Sequence, residues 1–316
     1  MEIEPFADEH LDAAAALLAA RHRRHREVEP LLPDRYEDPT EARAAIEAEW
    51  REPDASGCVA LSGEAVVGYL IGVPRAPVWG PNVWMGYAGH AVEQPETIRD
   101  LYAAGASRWV ERERTAHYAL VPAFDRAVVD AWFRLAFGQM HVHAIRERPA
   151  PQHVDFEVRE ARLDDLDGLL EIDHILPDHL AQAPVFARSE PDPPEVARRE
   201  WIEAIEDERT GAFVALRDGR IVGSLLGVPA DYSRGNVSLA RPDGAGHLGY
   251  IATEREVRGS GAGLALTHAF YRWAAEQGYE TVITDWRATN LPSSRFFGGG
   301  RGFRPTFFRL HRLVGF

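Results

Sequence analysis

The sequence predicts an α/β (α+β) protein of two tandem domains, each a central mixed β-sheet flanked by helices. Three observations carry that prediction. The 316-residue chain matches itself at an offset of 155. VALSGEAVVGYLIGVP (Val59 to Pro74) lies over VALRDGRIVGSLLGVP (Val214 to Pro229) without a gap, nine of sixteen positions being identical. A period of that size marks a duplicated unit. Strand-like and helix-like patterns then alternate in the same order in both copies, as when helices lie on a sheet. Finally, each copy contains a hairpin, which makes that sheet mixed.

A short strand opens each copy, Glu2 to Pro5 and Phe156 to Arg159, and a helix entered through acidic residues follows. In the first copy LDAAAALLAA runs from Leu11 into RHRRHR, which reads as a surface helix whose arginines satisfy carbonyls and solvent. A second helical stretch covers Ala42 to Trp50, or Val196 to Ile205. The hairpins turn at Ser62-Gly63-Glu64 and at Asp218-Gly219, the latter a strong turn signal. Next come a strand (WMGYAGHAV; GHLGYIAT), a long helix and a buried-type strand (HYALVPA; TVITDW). A short helix and a last strand (MHVHAIR; FFRLHRL) complete each copy. RPAPQH, Arg148 to His153, is a Pro-rich joint, so the expected division is 1–147, a linker 148–153, and 154–316.

Composition removes several functions. Hydrophobic residues make up 45% and charged residues 27%, as in ordinary globular chains. The net charge of -14 argues against a nucleic-acid binder, which needs a basic surface. No apolar run reaches the roughly 18 residues that span a bilayer, and MEIEPF lacks the basic start of a secretory signal, so a cytoplasmic protein without membrane partners is expected. The single cysteine, Cys58, allows no internal disulfide and no zinc cluster. His141 and His143 share a strand face but lack a third ligand, so no metal is expected. All 35 basic residues are arginine. Without lysine there is no pyridoxal Schiff base and no Walker-type phosphate loop.

The copies differ at one place. Where the first has EQPETIRDLYAAGAS, the second has TEREVRGSGAGLAL, with Gly259, Gly261 and Gly263 running into a helix marked by Leu266, Phe270 and Trp273. A helix N-terminus exposes unsatisfied N–H groups and the positive end of its dipole, and so attracts anions. Glycine leaves room for a phosphate and permits the turn's backbone angles; Arg258 adds positive charge. A dinucleotide fingerprint does not fit, because Leu264 stands where its third glycine would be. The chemistry is therefore expected in the second copy.

R-x-x-G-x-G, here Arg258, Gly261 and Gly263 at a strand-to-helix junction, resembles the pyrophosphate loop of the GNAT N-acyltransferase superfamily. IATEREVRGSGAG and TVITDWRATNLPSSRFFGGGRGF resemble the flanking strands and helix of that family. The resemblance covers Phe156 to Leu313 and, more loosely, residues 2 to 146. It implies two tandem GNAT-like domains, the first degenerate and serving as scaffold in an intramolecular pseudo-dimer; the oligomeric state stays open. It also implies acetyl-CoA as cosubstrate and a small-molecule or peptide amine as acceptor. Carried over by position, Ile251, Ala252 and Thr253 flank the pantetheine arm and thioester. Arg258, Gly259, Ser260, Gly261, Ala262, Gly263 and Leu264 hold the pyrophosphate, and Asn290 bonds the pantetheine.

Phe297 stands where many members place a tyrosine that protonates the leaving thiolate. Ser294 or water then serves the thiolate, or no acid is needed, or transfer is weak. The last case motivates the alternative of a CoA-binding regulatory module without turnover. His247 and Asp285 are candidate bases on the strands flanking the expected opening. His247 has a counterpart, His90, in the copy without the loop, which favours a structural hydrogen bond; Asp285 is equally placed to cap a turn. Glu254 acts through water or belongs to the solvated loop. Trp79 and Trp84 either line a substrate pocket or pack. The acceptor's identity is open, because acceptor pockets arise from loops such as PADYSRGNVSLARPDGAG.

Overall fold

In the computed structural model, residues 1–76, 80–187 and 193–315 are described. The chain forms two compact units, and neither is one continuous stretch. The first holds Met1–His143, Val237–Arg241 and Pro305–Phe316; the second holds Ala144–Asn236 and Pro242–Arg304.

In the first unit, β1 (Glu2–Pro5) precedes helices α1 (Leu11–Val28) and α2 (Pro39–Trp50). Strands β2 (Ser56–Ser62), β3 (Ala65–Gly72), β4 (Asn82–Met85) and β5 (His90–Val92) follow. Helix α3 (Thr97–Glu111), strand β6 (Ala116–Pro122), helix α4 (Arg126–Phe133) and β7 (Gly138–Glu147), of which only Gly138 to His143 belong to this unit, come next. Strands β1, β2, β3 and β5 form an antiparallel sheet in that order. β4 runs parallel to β6. The core gathers Phe6, Leu11, Leu18, Ile46, Tyr69 and Ile71 with Leu239 and Ala240, contributed from the second copy's loop.

Two expectations fail in this unit. WMGYAGHAV is not one strand: β4 stops at Met85 and β5 starts at His90. The buried Glu49 carboxylate sits against the break, so close that a Cβ on Gly86 would lie 2.2 Å from its Oε1, and it accepts the Ala88 amide at 3.0 Å. Nor is α1 a surface helix throughout. Arg21, His22 and His25 are buried. Arg21 donates to the carbonyls of Tyr87 (2.6 Å) and His90, on the two sides of the strand break. A buried guanidinium is tolerable only when its donors are so satisfied.

The second unit repeats the order with β8 (Glu157–Glu160), α5 (Leu166–Ile172), a short α6 (Ile175–Ala181) and α7 (Pro194–Glu206). Then come β9 (Gly211–Arg217), β10 (Arg220–Pro229), β11 (Ala245–Thr253), α8 (Ala262–Glu276), β12 (Thr281–Arg287) and α9 (Leu291–Gly298). Asp218 and Gly219 both take positive φ (54° and 75°), as a two-residue hairpin turn requires. β8, β9, β10 and β11 pair antiparallel, and β11 pairs parallel with β12. The sheet is therefore mixed, as the hairpins predict. Leu169, Ile172, Trp201 and Val214 make the core between it and α5 and α7. On α8 the inward residues Leu266, Phe270 and Trp273 are buried.

The final strand, β13 (Arg304–Leu313), departs from the sequential division at residue 154. From Pro305 on it belongs to the first unit, where it pairs antiparallel with β6 from Phe307↔Pro122 to Leu313↔Ala116. Residues Ala144 to His153 belong to the second unit, where Arg148 donates to the carbonyls of Glu280 and Tyr279. Strand pairing, not chain order, decides membership.

Candidate functional site

β11 ends at Thr253, and the chain turns through Glu254 to Ser260 before α8 begins. The amides of Arg258 and Ser260 are used inside the turn, donating to Arg255 and Val257 carbonyls at 3.2 Å each. The Ser260 hydroxyl also donates to Val257, at 2.7 Å. Gly259 and Gly261 adopt φ of 81° and 101°, where a side chain would be strained. That geometry leaves the amides of Gly259, Gly261, Ala262, Gly263 and Leu264 without a hydrogen bond to any described residue. They stand at the positive end of the 15-residue helix α8. Of the seven residues assigned to the pyrophosphate by sequence, five thus have available donors.

These amides line a cavity of about 440 Å³. Ile251 and Thr253 of β11 form one wall, and Ser293, Phe296 and Phe297 of α9 another. A Cβ built on Gly263 would come no nearer than 3.7 Å to any described atom, at Phe296 Cε2. The protein itself therefore does not require glycine there; a ligand pressed against the helix start would. Arg301 reaches the same cavity with its guanidinium 4.1 Å from the Phe296 ring centre. Two kinds of cation, Arg258 exposed on the loop and Arg301 over the ring, border the amide cluster.

The strand that supplies Ile251 and Thr253 to the cavity, β11, also borders a gap in the sheet. Parallel pairing between β11 and β12 ends at Leu248↔Thr284, although β11 runs on to Thr253 and β12 to Arg287. The cause is a bulge on β11: Tyr250 faces Leu226 and Leu248 faces Gly227, so Gly249 has no partner on β10. A bulge bends its strand and ends regular pairing. Alternate peptide groups from Gly249 to Thr253 consequently face an open edge rather than a strand.

His247 and Asp285 meet at the mouth of this gap. Nε2 of His247 lies 3.4 Å from Oδ1 of Asp285, and neither ring nitrogen makes a hydrogen bond to a described residue. Asn236, itself buried, donates to the same Asp285 oxygen at 3.3 Å. His90 behaves differently: its Nε2 bonds the Leu120 carbonyl at 3.1 Å, and burial pushes its pKa down to about 3. The two equivalent histidines thus differ in surroundings: His90 bonds a main-chain carbonyl, and His247 faces a carboxylate.

The other candidates are placed as follows. Glu254 is held by Arg220 in a two-pronged ion pair (2.5 and 2.6 Å), which lowers its pKa. Ser294 donates to the Ala288 carbonyl at 3.1 Å and is not among the cavity-lining residues. Asn290 caps α9 by accepting the Ser293 amide, and its Oδ1 also contacts His179 Nε2 of α6 at 3.1 Å. Phe297 is stacked on Trp286, with ring centres 5.7 Å apart, and edge-on to Phe303. Tyr271 is buried on α8 beside the Arg146 guanidinium. Trp84 stacks on Tyr118 at 4.3 Å in the first unit, and Trp79 lies outside the described residues. Among the described residues no three His, Cys, Asp or Glu side chains come together to hold a metal, and no helix is long and apolar enough to cross a membrane.

Sequence reading missed Ser293, Phe296, Arg301 and Asn236. The first three sit beyond the motif, and only the fold returns α9 to the loop. Asn236 lies in a loop with no periodic signal.

Residues 174–303 match the model of the acetyltransferase (GNAT) family. A GCN5-related N-acetyltransferase from Sphaerobacter thermophilus shares the fold over 100% of this chain and 96% of its own, at 16% identity and a TM-score of 0.58. The glucosamine N-acetyltransferase region of a fungal multi-domain β-N-acetylglucosaminidase aligns with 99% of this chain and 38% of that one, at 13% identity and a TM-score of 0.56. At such identities the likeness is one of fold. No curated protein matches the sequence significantly.

Proposed function

From the match of residues 174–303 to the acetyltransferase (GNAT) family model, we propose that this chain is an N-acyltransferase using acetyl-CoA. Its acceptor is the primary amine of a small molecule or peptide, which attacks directly. The observation that carries the reading is the cluster of five unpaired amides at the start of α8, facing a cavity walled by β11, the strand that borders the sheet gap.

The residues present fit the cosubstrate. Gly259, Gly261, Ala262, Gly263 and Leu264 offer a diphosphate their N–H groups, and the absent side chain of Gly263 leaves the approach open. The free edge of β11 from Gly249 to Thr253 offers an extended arm strand-like hydrogen bonds. When bound, acetyl-CoA supplies an activated thioester: the C–N bond forms as the C–S bond breaks, and the electron pair leaves on sulfur. An N–H of the β11 edge meets the charge that develops on the carbonyl oxygen, a contribution of about 2.7–4 kcal/mol in comparable sites. His247, oriented by Asp285, accepts the proton the ammonium must lose. Phe297 offers no proton, so the thiolate leaves unprotonated or takes one from solvent. The first unit is read as scaffold.

Two measurements test this. Calorimetric titration with acetyl-CoA should show one site per chain, and a panel of primary amines should release free thiol above the protein-free rate. Absence of acetyl-CoA binding contradicts the reading outright; binding without thiol release contradicts its catalytic part.

A further inference from the structure

A direct transfer needs two openings that meet at one bond, because the amine must arrive while the donor cavity is filled. Ile251 and Thr253 line the donor cavity. Tyr250 alternates with them along β11 and so projects to the opposite face of the strand. On that face lies a second cavity, of about 340 Å³, within the range of small-molecule sites. Leu176 and Leu180 of α6, Trp201 of α7, Leu226 of β10 and Tyr250 of β11 line it, with the carboxylates of Asp173 and Glu200. Its floor, the Leu226↔Tyr250 pair, adjoins the bulge at Gly249, where β11 leaves β12.

Resting on the acyl-transfer reading, we propose that this cavity is the acceptor site and that it takes a primary amine carried on an apolar, aromatic-sized body. The walls decide the body. Trp201 and Tyr250 meet edge to face with ring centres 6.2 Å apart, and the rest of the lining between them and α6 is aliphatic. A polyhydroxylated amine would lose the hydration of its hydroxyls there without finding enough partners. The carboxylates decide the charge. Trp201 Nε1 donates to Asp173 Oδ1 at 3.1 Å and fixes that carboxylate beside the cavity, and Glu200 is exposed beside it. Both favour a cation at the opening. The buried Tyr250 hydroxyl, beside the Ser224 hydroxyl, adds a polar group to this largely apolar wall.

α6 makes the site adaptable. None of its residues is fully buried, and it lies between this cavity and a polar one bordered by His174, Asp178, Glu254 and Arg258. Its apolar residues Leu176 and Leu180 turn toward the proposed acceptor, while His179 touches Asn290. One short helix thus separates an apolar acceptor side from the anion-binding side.

The test is calorimetric titration of the full chain, without acetyl-CoA, using phenethylamine, spermidine and kanamycin as probes. Phenethylamine should bind at least about tenfold more tightly than either polycation. Leu180→Arg, which places a cation in the cavity, should weaken it by about tenfold or more while acetyl-CoA affinity stays within about twofold. Should Leu180→Arg fail to fold, Asp173→Asn carries the same comparison. No phenethylamine binding, a preference for spermidine or kanamycin, or indifference to the variant overturns the proposal. Binding of phenethylamine without thiol release upholds this site and defeats the transferase reading. Thiol release with spermidine alone does the reverse.

Discussion

Nε2 of His247 lies 3.4 Å from Oδ1 of Asp285, where β11 and β12 cease to pair. One residue comes from each strand, next to the last paired residues, Leu248 and Thr284. If His247 takes the substrate proton, His247→Gln should lower kcat by about 100-fold or more, the usual scale of general-base assistance. The rising limb of the kcat/KM profile with pH should disappear with it. A variant with unchanged kcat and profile would assign the histidine to structure.

Asn236 holds the far side of that carboxylate, at 3.3 Å. Asn236→Ala should lower kcat while acetyl-CoA affinity stays within about twofold, because the residue acts on Asp285 and not on the loop. Asn236→Asp should do worse than Asn236→Ala, since it sets a second negative charge against Asp285. Parallel titration and steady-state kinetics separate these outcomes from a general loss of folding.

The glycines of the loop act for two different reasons, and variants separate them. Gly261 has φ 101°, so Gly261→Glu is strained by roughly 1–3 kcal/mol as well as obstructive. Gly263 has ordinary backbone angles and room for a side chain. Gly263→Val should therefore leave the melting temperature within about 3 °C. It should nonetheless weaken acetyl-CoA by about 100-fold, as expected when two charge-assisted hydrogen bonds are lost. Unchanged affinity in Gly263→Val would place the diphosphate elsewhere.

Acid should weaken the first unit. Burial lowers the pKa of His22 to about 4, His25 to about 2 and His90 to about 3, from 6.5. A depressed histidine stabilises the fold above pH 6.5 and loses that contribution as pH falls toward its folded value. Burial raises Glu49 from 4.5 to about 7, which works oppositely: its contribution grows as pH falls through 7. Between pH 7.5 and 5 each histidine loses roughly 2 kcal/mol and Glu49 returns roughly 2, leaving a net loss of about 4 kcal/mol. The urea midpoint should drop accordingly, and less so in His90→Gln. A midpoint that does not move contradicts the buried, neutral histidines.

Removing the last strand should damage the first unit rather than the second. Ending the chain at Gly302 deletes Phe307 and Leu310, both fully buried, together with the whole β6–β13 pairing. Gel filtration and circular dichroism should show the truncated protein partly unfolded. A soluble, cooperatively melting truncation would contradict the strand's place.

The glycine loop was legible in the sequence because positive φ and close approach leave a residue-type signature at fixed spacing. The hairpins were legible for the same reason. The destination of FFRLHRL was not, because an apolar strand carries no label for the sheet it joins. RHRRHR looked solvated because the carbonyls of Tyr87 and His90 that receive Arg21 lie more than sixty residues away. The second cavity was invisible for a related reason: Asp173, Trp201 and Tyr250 share no local pattern. Its walls meet only after β10, β11, α6 and α7 have packed.

The central claim is best tested by a crystal structure of the protein soaked with coenzyme A. The account predicts diphosphate oxygens within about 3.2 Å of the amide nitrogens of Gly261, Ala262, Gly263 and Leu264, with the arm running along Gly249 to Thr253. Density for the diphosphate at any other surface, or the same four amides turned away from it, would contradict the account.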